Sequence, residues 1–129
     1  MRWISWFVVG SALAAGSCSS LEAPPALPFD IRPTMTGLRV DALAIARALE
    51  VGDPTAAAAS ARRLESSALV PNGTTPPAEY ETFATGFTSS ARFLRQALED
   101  DDTPRARIAF SQMLQRCDAC HDQFRATPR

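Results

Sequence analysis

The sequence predicts an all-α protein, an antiparallel up-down-up-down four-helix bundle. Three observations carry that expectation. Alanine, leucine, arginine and glutamate dominate, while valine and isoleucine are sparse outside the first ten residues, a composition that favours helix over strand. Four segments repeat apolar residues at alternating steps of three and four. Mostly short connections marked by proline or glycine separate them, and short connections join antiparallel neighbours. At 129 residues the chain has room for one domain.

Residues 1–17 read as an export signal. Arg2 supplies a short positive start, and Trp3 to Ala15 is mostly apolar but short for a bilayer span. Ala14-Ala15-Gly16-Ser17-Cys18 is similar to a bacterial lipobox, with Cys18 as the lipidated first residue. The lipobox leucine is missing from its usual place, where Ala15 stands. Cleavage after Ala14, using Ala12 and Ala14, is the alternative and would leave Cys18 an unpaired thiol. In both readings the chain is exported. Loss of the leader removes Arg2 and no acid, so 12 of the 13 basic residues remain against 14 acidic ones, a formal −2. Such a balance carries no nucleic-acid footprint. Residues 18–32, with Pro24, Pro25 and Pro28, read as an extended tether.

The bundle domain is expected over residues 33–129. The first helix runs from Pro33 to Val51, with Met35, Leu38, Ala42, Ile45 and Leu49 as its apolar stripe. Gly52 suits the left-handed C-terminal position, and Asp53-Pro54 reads as an N-cap followed by proline in the first turn. The second helix runs from Pro54 to Ala68, alanine-rich, with Leu64 as its large anchor. Residues 70–77, with Asn72-Gly73 and Pro76-Pro77, form the main loop. The third helix spans Ala78 to Glu99, with a seam of Tyr80, Phe83, Phe87, Ala91, Leu94 and Leu98. The acidic run Glu99–Asp102 reads as a solvated turn whose charge favours a following helix N-terminus, in preference to a metal site. Thr103-Pro104 repeats the cap-then-proline pattern. The fourth helix carries Phe110, Met113, Leu114, Cys117, Cys120, His121 and Phe124 on one broad side and ends near Arg125.

The chemistry is concentrated in Cys117-Asp118-Ala119-Cys120-His121. Cys-x-x-Cys-His is the attachment signature for haem c: two thiols take the vinyl groups and the histidine reaches the iron. On a helix, residues 117, 120, 121 and 124 share one face, so both sulfurs, the imidazole and the Phe124 ring meet one flat ligand. His121 is the only histidine. A dithiol redox pair normally follows a strand in a βαβ setting, which is missing here. A structural zinc site needs four ligands, and the motif offers three.

From about residue 33 to 125 the chain resembles the cytochrome c′ superfamily, including its b-562-type members. The terminal run Cys117 to Arg125 carries the resemblance, with an aromatic and an arginine one turn after the histidine, on the last helix. The third helix, with Phe83-x-x-Gly86-Phe87 and Ala97-Leu98, adds to it. The resemblance implies one covalent haem c with its iron on His121, and Phe83 and Phe87 lining the pocket. It places Arg125 near the proximal face or a propionate, and a residue of the first helix on the sixth iron position. Met35 fits that placement; Arg39-x-x-x-Leu43 offers a competing register with an apolar distal residue. Chemistry narrows the choice. Lysine is absent, no second histidine exists, Met1 leaves with the leader, and Met113 shares the helix of His121.

These readings predict a non-enzymatic, periplasmic, membrane-tethered carrier of electrons with His121 and Met35 on the iron. Its partners are redox proteins and, through Cys18, the membrane. The resemblance allows a homodimer through the first two helices. The alternatives are a five-coordinate haem protein that takes nitric oxide or carbon monoxide, and a haem-free dithiol module.

Overall fold

The computed structural model describes residues 27–124; the leader, Cys18, most of the tether and Arg125 lie outside the described residues. Within them the chain forms four helices: α1 (Arg32–Val51), α2 (Pro54–Ser66), α3 (Ala78–Glu99) and α4 (Thr103–Phe124). Helices adjacent in sequence pack against one another, α1 on α2, α2 on α3 and α3 on α4. This is the expected all-α four-helix bundle. Among the described residues no helix is long and apolar enough to cross a membrane.

The helix boundaries follow from backbone chemistry. Gly52 ends α1 in the left-handed region, φ 74°, where a side chain would be strained. The Asp53 carboxylate then accepts the Ala56 amide at 2.9 Å, capping α2 behind Pro54. α1 begins one residue earlier than expected, at Arg32. Asp30 takes both the backbone amide and the guanidinium of Arg32, at 2.9–3.0 Å, and so replaces a side-chain cap at Ile31.

Two expectations at helix ends are corrected. α2 stops at Ser66 rather than Ala68, because the hydroxyls of Ser66 and Ser67 donate to the Arg63 carbonyl and Ser67 turns extended. The cap of α4 is Asp102, not Thr103: the Asp102 carboxylate accepts the Arg105 amide at 3.0 Å. The acidic run is a turn with Asp101 at φ 56°, and Asp100 pairs with Arg105.

The core joins Leu38, Ile45 and Leu49 of α1 to Ala57, Ala61 and Leu64 of α2, with Ala91, Leu94 and Leu98 of α3 and Ala106, Ala109 and Met113 of α4. The alanines of α2 face inward, so its small side chains serve close approach of helix axes within the bundle. Leu114, expected on the inward side of α4, is 39% exposed; the inward seam passes through Ala106, Ala109 and Met113 instead. α1 and α4 approach each other far less closely than the three sequential pairs. Arg107 of α4 ties them at one end, donating to the Leu49 carbonyl near the end of α1 at 2.7 Å.

Ion pairs brace the outer faces. Arg63 meets Asp41 between α2 and α1, and Arg62 meets Glu99 between α2 and α3. Glu65 accepts from both Arg95 and Arg92. The Arg95 hydrogen bond, more than that of Arg92, holds the Glu65 carboxyl below its ordinary 4.5. A carboxyl lowered in the folded state stabilises the fold above its unfolded pKa, and that stabilisation is lost as pH falls through the folded value. Urea midpoints are therefore expected to be flat at neutral pH and to fall once the pH drops below about 4.5. Glu65→Gln should flatten part of that fall, by at most about 1 kcal/mol for pairs so near solvent.

Candidate functional site

α1 and α3 begin, and α2 and α4 end, at the same pole of the bundle, and a cleft opens there. Met35 and Leu38 line it from α1, and Leu69 from the α2–α3 connection. Tyr80, Phe83, Ala84 and Phe87 form the α3 wall, and Arg116, Cys117, Cys120 and His121 the α4 wall. About 360 Å³ of free space lies between them, including the part open to solvent.

The residues singled out in the sequence are thus largely brought together. Cys117, Cys120 and His121 stand on one wall, Met35 on another and Phe83 with Phe87 on a third. Cys117 and Cys120 are half-buried free thiols, and His121 sits at the solvent edge. Met35 is half-buried against the core in the first turn of α1. Leu43, the competing residue of α1, is 51% exposed and lies away from the cleft, while Met113 is fully buried in the core.

Phe124 stands behind the cleft rather than on its wall. Its ring meets Tyr80 edge-on at 5.3 Å and Phe83 at 5.8 Å. Tyr80 also meets Phe29 edge-on at 5.5 Å, so the segment entering α1 is bound into the same aromatic group. The Tyr80 hydroxyl donates to the Leu69 carbonyl at 3.0 Å, and burial pushes its phenol up to about 12. Arg125 lies outside the described residues.

Leu69, Tyr80, Ala84 and Arg116 are cleft residues that sequence reasoning did not assign to the site. Leu69 lies in a connection without periodicity, so no pattern marks it. Arg116 immediately precedes Cys117, and its Nη1 would lie 3.8 Å from a Cβ at Gly86, an ordinary contact. An alanine would therefore fit at Gly86, and that glycine is not a packing requirement.

The electrostatics separate the alternatives for the two thiols. Burial pushes both Cys117 and Cys120 up, and the Asp118 carboxylate adds to the shift at Cys117. Dithiol redox pairs need thiols lowered by a helix N-terminus or a nearby cation. Here both thiols lie near the C-terminal end of α4 and are held protonated. Among the described residues no group of three or more His, Cys, Asp or Glu side chains is arranged to hold a metal ion by itself. What the site does present is an apolar slot with two thiols and one imidazole on one wall and a thioether on another. That donor set suits a flat, apolar, iron-bearing ligand joined through sulfur.

A family model described as Cytochrome C′ matches residues 57–125. The chain belongs to the cytochrome c′ family. No curated protein and no solved structure matches it. Members of the cytochrome c′ family bind covalently attached haem c with its iron, and the cleft fits that group: the thiols of the attachment signature and the aromatic wall face the same space. The matched stretch covers α2 through α4 and stops short of α1, so Met35 lies outside it.

Proposed function

We propose that this cytochrome c′ family member is a carrier of single electrons whose haem iron is held by His121 and Met35. One observation carries the reading: Met35 of α1 and His121 of α4 line one cleft, and no other described methionine does. Haem c would supply a one-electron iron couple, and His121 with the Met35 thioether would hold its iron and raise its potential. Cys117 and Cys120 hold the group by two thioether bonds. Phe83 and Phe87 of the cleft wall would exclude water from the group, and Phe124 braces the α3 wall through Tyr80 and Phe83. Met35, by holding the iron, would deny it to small molecules, which suits transfer over catalysis. The absence of a second histidine leaves no distal imidazole to move protons in a peroxidase reaction.

The carrier acts on the periplasmic side, tethered through lipid at Cys18 after removal of residues 1–17, and exchanges electrons with redox proteins there. The leader pattern and the proline-rich stretch that follows it support this placement.

A second reading, an open sixth position that takes nitric oxide or carbon monoxide, has one observation in its favour. Met35 sits in the first turn of α1, so the ligand is carried by a helix end. Carbon monoxide added to the reduced holoprotein separates the two. An unchanged low-spin spectrum is the expected result; a prompt shift of the haem band overturns ligation by Met35 and leaves the gas-binding reading.

A further inference from the structure

A second hollow adjoins the cleft on the outer side of the α2–α3 connection. Leu69, Val70 and Ala84 line it together with Glu81, Thr85, Thr88, Ser89 and Arg92, so that it is broadly open with a mixed polar and apolar lining. Two residues, Leu69 and Ala84, line both spaces. Ala84 contributes only a methyl group, so Leu69 is the larger of the two side chains that the hollow and the apolar cleft share. Leu69 is 7% exposed although it lies on an irregular connection. Its position is fixed through its carbonyl, which accepts the hydroxyl of the 2% exposed Tyr80. Tyr80 in turn is clamped between Phe29 and Phe124.

We propose that Leu69 is the access-determining residue of the cleft, a partition that closes a side route from the open hollow to the haem iron for small uncharged ligands, and that Tyr80 is the positioning residue that keeps it closed. The inference rests on haem c occupying this cleft. It is independent of the identity of the sixth ligand. A single side chain with its backbone held by one hydrogen bond is a wall that one substitution opens. The hollow outside it already admits solvent up to that wall. The device complements ligation by Met35: one excludes small molecules at the iron, the other along the path to it.

The test uses holoprotein carrying Met35→Ala, so that neither reading of the sixth position limits the rate. Haem staining on a denaturing gel first establishes covalent attachment; failure there sinks the haem reading rather than the partition. Carbon monoxide association with the reduced protein is then followed after flash photolysis. Adding Leu69→Ala should accelerate association on the order of tenfold, as when a route open for a small fraction of the time becomes permanently open. Adding Tyr80→Phe instead should accelerate it about fivefold, the shift that one hydrogen bond makes in an opening equilibrium. That variant should also speed amide exchange over residues 67–71 of the holoprotein. If Leu69→Ala does not retain haem, Leu69→Val gives a smaller acceleration in the same direction. Rates within about twofold of the parent in the retained variants overturn the proposal and assign entry to the mouth of the cleft. A Tyr80→Phe protein with lowered melting temperature and an unchanged association rate assigns Tyr80 a merely structural role and overturns its part.

Discussion

Met35→Ala is expected to turn the haem from low-spin to high-spin and to open the reduced protein to carbon monoxide. Met35 is the described methionine of the cleft, on the helix facing the wall that carries His121. Alanine keeps the helix, since it has the highest helix propensity, and removes the thioether. The variant should therefore stay folded by far-ultraviolet circular dichroism while its haem spectrum changes. Apparent affinity for an external ligand scales with the fraction of molecules whose site is open. If the thioether leaves that site free about one-tenth of the time or less, its removal raises carbon monoxide affinity by about tenfold or more. Met35→His offers a converse check, since a second imidazole should keep the iron low-spin and lower its potential. An unchanged spectrum in Met35→Ala would remove the thioether from the iron.

The second large effect lies in the core. Leu94→Ala should destabilise the protein by about 2–5 kcal/mol, the range for truncating a buried leucine in a well-packed interior. Leu94 is 0% exposed in the C-terminal half of α3 and belongs to the core cluster that the four helices share. Against a typical total of about 5–15 kcal/mol this is a large share. For a domain of this size it corresponds to a fall in Tm on the order of 10–30 °C. Its neighbour Phe93 is 60% exposed, and Phe93→Ala should change stability by no more than about 0.5 kcal/mol. Because Leu94 does not line the cleft, the haem spectrum of the folded Leu94→Ala protein should match the parent. Comparable melting of the two alanine variants would contradict the packing described for α3.

Much of this architecture was legible in the sequence because its punctuation is chemical. Gly52 and Asp53-Pro54 separate the first two helices with residues whose backbone or side chain can do little else there. The expected span of α3, Ala78 to Glu99, agrees with the structure for the same reason: Pro76-Pro77 bars helix before it, and the acidic run ends it. The misplacements occur where two residues of equal aptitude compete. Asp102 and Thr103 can both cap α4, and only the geometry of the Asp101 turn selects Asp102. Ser66 and Ser67 can continue a helix or fold back onto a carbonyl, and they fold back. Within the site, the helical residues were legible from spacing, since periodicity carries Met35, Phe83, Phe87 and Cys117 to one side. Leu69 was not, because an irregular connection has no period, and its inward turn depends on a hydroxyl eleven residues away in α3. Phe124 shares its helix face with Cys117 and His121, yet side-chain packing carries its ring onto Tyr80 and Phe83, which spacing alone does not reveal.

The sparse contact between α1 and α4 gives the bundle a mechanical property. Arg107 pins α4 to the last turn of α1, at the pole away from the cleft. The stretch Met35–Leu49 is then a lever about 21 Å long, at a rise of about 1.5 Å per residue. A tilt of about 5° around the pinned end carries Met35 roughly 2 Å toward or away from the opposite wall. The tilt shifts α1 over the face it packs on α2, while the faces between α2, α3 and α4 stay together. With Met35 and His121 on the iron as proposed, the distance from thioether to imidazole would follow the angle of α1 on α2, and substitutions at the pinned end, away from the cleft, would reach the site through that angle.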